Sequence, residues 1–472
     1  HNQAVNHKKT DGWGGALAAA GNGTKVRAEN VTFHHNTAAF GGGAVGVSSS
    51  AVFELAYSNF THNQAVNHNK TDGWGGALAA AGNGTKVRAE NVTFHNNTAA
   101  YCGGAVDVSL SAVFELAYSN FTHNQAVNHN KTDGSGGAVS ATDTGTKVRA
   151  ENVTFHHNTA ALGGGAVAAA YGSVLHMRNS SFYRNSVESP QEGGGGALFV
   201  LSNVAVKIMN SSFEHNSVAG GGGAVSVNYA TTSDLKRPLV IRAHNKGSAA
   251  VENVGNFLLP SVVALHYCNF SFNSAGQQGG GFKVVSSNLT VENSMMDSNG
   301  CTGLGGTGGL LHMEGTTSQP VHVRLSSSTI SNSVGDTGGT AFAVVTKSNN
   351  GTAGYSTLDW LNVTVTNSMA YLGQGMVLDG SFLRVNLTGS QVMLDSSSVI
   401  RKGDLCLVGD KEPSAGVCEM CPQHMYSLAV PPNTSCSICP PHAKCLGGAV
   451  IVADDGFFNT VNRNCTPSRI TR

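Results

Sequence analysis

Residues 1–61 and 62–122 are the same sequence except at six positions, and a third, more divergent copy begins at His123. No other feature constrains the fold as strongly. A unit that recurs at fixed spacing, and is too short to bury a core alone, must stack on its own copies. Each 61-residue copy holds two sub-repeats, and each sub-repeat pairs a Gly-Gly-Ala-Leu/Val element with a Phe-x-x-Asn element. The glycine element begins at Gly14, Gly42, Gly75, Gly103, Gly136, Gly164, Gly195 and Gly222, then in weaker form at Gly280, Gly308 and Gly338, with a degenerate version at Gly373. The second element runs Phe33/Asn36, Phe60/Asn63, Phe94/Asn97, Phe121/Asn124, Phe155/Asn158, Phe182/Asn185, Phe213/Asn216 and Phe270/Asn273, with Met296/Asn299 as a substitute. Glycine pairs mostly recur every 27 to 33 residues, so one short unit repeats about a dozen times.

Inside the unit the pattern has period two. Apolar residues alternate with charges in Lys25-Val26-Arg27-Ala28-Glu29, and Phe53, Leu55 and Tyr57 alternate with Glu54, Ala56 and Ser58, as on a strand with one buried face. Helical spacing is absent. Short strands separated by Gly and Asn turns bury their faces by stacking coil on coil, which predicts a parallel β-helix of about twelve coils and about 60 Å over residues 1–403. A Phe in the same place in every coil is expected to form an aromatic column inside. The Asn three residues later is expected at a turn, in left-handed backbone, with its amide bonded along the column.

The cysteines set a second region apart. Cys102, Cys268 and Cys301 are scattered through the repeats, whereas Cys406, Cys418, Cys421, Cys436, Cys439, Cys445 and Cys465 crowd residues 404–472. A disulfide-stapled module is expected there, because Pro422 and Pro440 each follow a CxxC and Asn433 opens a glycosylation sequon; ribbon-type zinc binding is the competing reading. Seven is an odd number, and the chain begins inside a repeat, so both ends read as cut from a longer protein.

Composition narrows the function. Lys plus Arg equals Asp plus Glu at 28 each, which argues against nucleic acid as a partner, since phosphate binding draws on a basic excess. No stretch is apolar enough for a membrane span; Phe257–Leu265 is short and holds Pro260. P-loop, HExxH and GxSxG motifs are missing, and Gly303-x-Gly305-x-x-Gly308 falls on repeat turns with no helix to follow.

The alternation of GGA[LVI] with FxxN resembles the repeats of chlamydial polymorphic membrane proteins. That resemblance covers roughly residues 1–400 and implies a right-handed β-helix and a role as a surface adhesin. The tail departs from it: Cys418-Glu-Met-Cys421-Pro and Cys436-Ser-Ile-Cys439-Pro, with Ala443, Cys445 and Gly448, resemble the ephrin-receptor-like cysteine-rich module, which implies a eukaryotic secretory route. There are 19 N-x-[ST] sequons. Asn30, Asn59, Asn91, Asn120, Asn152, Asn179, Asn210, Asn269 and Asn362 are the glycosylation candidates, because alternation turns such Asn residues outward.

A polysaccharide-active lyase, hydrolase or epimerase is the alternative function, since such enzymes occupy grooves along β-helices. It needs converging carboxylates, and Asp143, Asp234, Glu214, Asp297, Asp336, Asp359, Asp379 and Asp395 are scattered in sequence. No catalytic residue, cofactor or metal is assigned. Histidine is overrepresented early, with twelve of 19 before Met177. His34/His35, His62, His95, His123 and His156/His157 all lie between Phe and Asn, where they are expected to form a ladder from coil to coil. Copying of one polar turn residue is the preferred account, beside a metal-binding or pH-sensing surface. Trp13 and Trp74 share one repeat position and are expected partly buried against the next coil. Between Gly223 and Gly281 the glycine rhythm breaks for 58 residues, as either a motif-less coil or an insertion. Lys236, Arg237, Arg242 and Lys246 concentrate charge there and are the candidate binding loop. The expected partners are glycans or surface and matrix proteins, at the cell surface or outside the cell.

Overall fold

A computed structural model describes residues 3–4, 12–66, 73–127, 134–189, 194–229, 259–303, 306–346, 354–370, 376–379, 383–388, 390–394, 399–402, 410–414, 417–427, 436–441, 443–447, 450–453, 458–460 and 469–471. The chain is a parallel β-helix built from three lateral sheets. One coil shows the plan: Leu17–Ala20 belongs to the first sheet, Lys25–Glu29 to the second, and Thr32–His34 with Thr37–Ala38 to the third. The second sheet stacks twelve parallel strands, one per coil, at a spacing of about 4.8 Å.

Register is strict because inward and outward residues alternate, so a one-residue slip would turn the whole core face to solvent. In the second sheet Val26 pairs with Phe53, Phe53 with Val87, and Val87 with Phe114. Phe53, Val87 and Phe114 belong to one continuous buried cluster running from Ala19 to Val385, and the half-buried Val26 packs against it. Arg27, Glu54, Arg88 and Glu115 occupy the intervening outward positions of the same register.

The Gly-Gly elements form the corner that enters the first sheet. Gly136 has φ +71°, and a Cβ there would meet the Val139 carbonyl oxygen at 2.3 Å. Gly137 packs against the next coil's backbone, with its Cβ position 2.1 Å from the Gly165 oxygen. The first glycine thus answers a left-handed turn and the second a backbone-to-backbone approach. In the weak copy the left-handed glycine is Gly279, one residue before the position read from the sequence, because Phe282 takes the place of Leu or Val.

Across the break in the rhythm, Ala205–Met209 pairs directly with Val262–His266, and Val225–Asn228 pairs with Phe282–Val285. No coil intervenes, so the extra residues are an insertion between a first-sheet and a second-sheet strand. Lys236, Arg237, Arg242 and Lys246 lie outside the described residues.

Parallel stacking in the first sheet reaches Val399–Lys402, after which pairing turns antiparallel with Val417–Met420. Three antiparallel hairpins follow. Disulfides join Cys421 to Cys436 and Cys439 to Cys445, so these four cysteines are crosslinked rather than held as zinc ligands. Cys418 lies on the strand Val417–Met420, while Cys406 and Cys465 fall outside the described residues. Among the described residues no helix is long and apolar enough to cross a membrane.

Candidate functional site

The Phe-x-x-Asn element places two side chains inside the third sheet and two outside. Phe33, Phe60, Phe94, Phe121, Phe155, Phe182, Phe213 and Phe270 stack in one file, with neighbouring ring centroids 4.5 to 5.1 Å apart and planes within 18° of parallel. The strand spacing sets that distance. Behind the rings run Asn36, Asn63, Asn97, Asn124, Asn158, Asn185, Asn216 and Asn273, all buried, and the file continues to Asn299. From Asn63 onward, each Oδ1 accepts both the backbone N–H and the Nδ2 of the Asn one coil earlier; Asn124, for instance, receives both from Asn97 at 3.0 Å.

The left-handed residue of this bend is not the Asn. It is the residue before it: His35, His62, Asn96, His123 and His157 have φ between +51° and +56°. The Asn is committed to the interior ladder, so the preceding residue makes the bend and throws its side chain outward. A second left-handed turn, between the second and third sheets, holds Asn30, Asn91, Asn152, Asn179, Asn210 and Asn362. Asn59, Asn120 and Asn269 open the strands that follow the same turn in other coils. All nine candidate sequon residues therefore share one edge of the rod; Asn152 and Asn269 are half-buried and the other seven exposed.

Outside the Phe file the imidazoles form a ribbon. His35 stacks on His62 at 5.0 Å, and His34 meets His35 edge-on at 4.0 Å. His62 and His95 are 6.0 Å apart, His95 and His123 5.6 Å, and His123 stacks on His157 at 5.1 Å. His156 stacks on Tyr183 at 5.0 Å, where the run of histidines ends. Nδ1 of His34 is 2.8 Å from the Thr61 hydroxyl, and His95 repeats the contact with Thr122 at 2.7 Å. Partial desolvation, and after it the neighbouring imidazoles, hold His35, His95 and His157 below the ordinary histidine value. Among the described residues, His34, His35 and His62 are the group of His, Cys, Asp or Glu whose ligand atoms all lie within 4.8 Å of one another.

The outer face of the second sheet is zwitterionic. Glu115 pairs with Lys86 and Arg88 at 3.0 Å and with Arg149 at 3.3 Å; Arg88 also reaches Glu54 at 3.3 Å. Partial burial pushes Glu115 up, but Lys86 and Arg88 outweigh it and leave the carboxylate below its usual range. His176 and Lys207 continue the column beyond Arg149, where the Arg/Glu alternation stops. Sequence reasoning passed over this groove, although the K-V-R-A-E and V-F-E-L-A segments that build it were legible.

Trp13 and Trp74 are half-buried in a file with Phe40 and Tyr101, at centroid distances of 4.6 to 6.0 Å. Cys268 and Cys301 are buried, which pushes their thiols up to about 11 and about 12 and leaves them poor nucleophiles.

A family model described as the Chlamydia polymorphic membrane protein repeat matches residues 91–109. That segment spans Phe94, Asn97 and the Gly103–Val106 element, one copy of each motif, and the β-solenoid fits a repeat of that type. No curated protein matches the chain. Among solved structures, the crystal structure of a TibC-catalysed hyper-glycosylated TibA fragment is 12% identical, over 75% of this chain and 99% of that one, with a TM-score of 0.21.

Proposed function

We propose that this chain is a non-enzymatic surface or extracellular protein that binds partners along the side of its β-helix. The observation that carries the reading is the repetition of outward residues in register: the histidine ribbon, the Arg/Glu column and the sequon edge each present one chemistry over several coils. A filled core of stacked Phe and laddered Asn makes the rod a stiff platform for those faces. The matched repeat model is consistent with display at a surface. Glycans or surface and matrix proteins are the partners these faces suit, since a chain of zero net charge favours hydrogen bonding and stacking over long-range attraction.

In this reading the sequon edge carries N-linked glycans, and the cystine-bearing C-terminal region is a cysteine-rich module of the ephrin-receptor type reached through a secretory pathway. Binding of the full chain to a glycan array and to cells tests the function. Saturable retention, abolished by heat denaturation, is expected. Depolymerisation of an acidic polysaccharide by the purified chain would overturn the proposal in favour of the enzyme alternative.

A further inference from the structure

The histidine ribbon is not a uniform copy of one turn residue. In the first coil both positions between Phe and Asn are histidine, and in the second coil only the later one is. His34 and His35 therefore converge on His62 as a triangle spanning two coils. All three are exposed, and each offers one ring nitrogen within 4.8 Å of the other two. The scaffold beneath is rigid: Phe33 stacks on Phe60 at 4.6 Å, and the His35 amide donates to the Thr61 carbonyl at 3.1 Å. The same Thr61 holds Nδ1 of His34 through its hydroxyl. When that hydroxyl accepts from Nδ1–H, the lone pair of His34 is on Nε2, the orientation in which metal-binding histidines are commonly held. Nε2 of His62 faces the Asn96 amide at 3.3 Å, a weak exposed contact that is readily exchanged.

We propose that His34, His35 and His62 form a three-imidazole site for a transition-metal dication of the zinc type. Imidazole ligands without carboxylates select zinc, copper or nickel over calcium and magnesium, which take oxygen donors. A tetrahedral zinc at about 2.0–2.1 Å from each nitrogen needs donors roughly 3.3 Å apart, so the exposed rings close by modest χ rotations. The fourth position stays open to water or to a donor on a partner. The later copies lack the triangle for stated reasons. Asn96 stands where the second copy would need its counterpart of His35, and after His156 and His157 the next coil offers Tyr183 and Arg184.

The test is titration of the metal-free full chain with zinc chloride alone, by calorimetry and equilibrium dialysis. His34→Ala and His62→Ala should each weaken one zinc site by about tenfold or more, while His215→Ala, farther along the same face, leaves it in place. Asn96→His should raise the stoichiometry by one, since it restores in the second copy the pair that faces His123. Unchanged circular dichroism in each variant keeps loss of fold separate from loss of ligand. Absence of zinc binding at millimolar concentration, binding indifferent to both His34→Ala and His62→Ala, or unchanged stoichiometry in Asn96→His would each overturn the assignment.

Discussion

Asn124 sits in the middle of the buried amide ladder, and its removal has a consequence that follows from four hydrogen bonds. Its Nδ2 donates to the Phe94 carbonyl at 2.9 Å and to Asn158 Oδ1 at 3.0 Å; its Oδ1 accepts from the backbone N–H and Nδ2 of Asn97, both at 3.0 Å. Asn124 and Asn97 are fully buried, so no water replaces what is lost. In Asn124→Ala the Asn97 backbone N–H and one Asn97 amide hydrogen lose their acceptor. An orphaned buried donor costs about 1–3 kcal/mol, so the two orphaned here place the variant roughly 2–6 kcal/mol below the parent. Asn124→Ser should recover about half of that, because the chain uses this device farther along: the Ser333 N–H donates to the Ser368 hydroxyl at 3.4 Å. The assay is the urea midpoint, with hydrogen exchange at the Asn97 amide as the local readout, since solenoid coils unfold against their nearest neighbours. An Ala variant within about 0.5 kcal/mol of the parent, with Asn97 still protected, would refute the ladder as a source of stability.

Truncating the aromatic file at Phe155→Ala, between neighbours at 5.1 and 4.9 Å, should cost about 3–5 kcal/mol in chemical denaturation, with Phe155→Leu well short of that. Asp107 is buried, which with Asp143 pushes its carboxyl up to about 7 against the hydrogen bonds from Ser140 and Ser109. A raised folded value means the unfolded chain ionises first, so stability falls as pH rises from about 4 to about 7, by up to about 4 kcal/mol. Asp107→Ser, which copies its register partner Ser140, should be the more stable protein at pH 8 and lose that advantage near pH 4 in paired thermal melts. Cys436→Ser opens a loop closed across 15 residues and should destabilise the C-terminal region by about 3 kcal/mol while coils near Phe60 keep their exchange protection.

Most of the fold was legible because its repeat fixes both face and register: Val26, Phe53, Val87 and Phe114 alternate with charges in sequence and line one inward-facing column in space. The left-handed position of the Phe-x-x-Asn bend was not. An Asn at a turn suggests its own positive φ, but an amide that must satisfy the preceding coil's backbone cannot also point outward, so the strain moves to His35 or His62. The break between Gly223 and Gly281 was likewise ambiguous, since spacing alone does not distinguish a coil without motifs from an insertion. Strand pairing across it decided for the insertion.

The sequence by itself determined that this chain stacks copies of one short unit, that Phe faces inward with Asn amides bonded along its column, and that a cystine-bearing region follows. Those properties depend on period, and period is written along the chain. Tertiary structure decided which outward residues meet. His34, His35 and His62 lie up to 28 residues apart in sequence, and Glu115 takes its cations from the coils before and after its own. Those contacts depend on the lateral register of neighbouring coils and on the direction each left-handed bend gives its side chain. That geometry arises only when the coils close and stack.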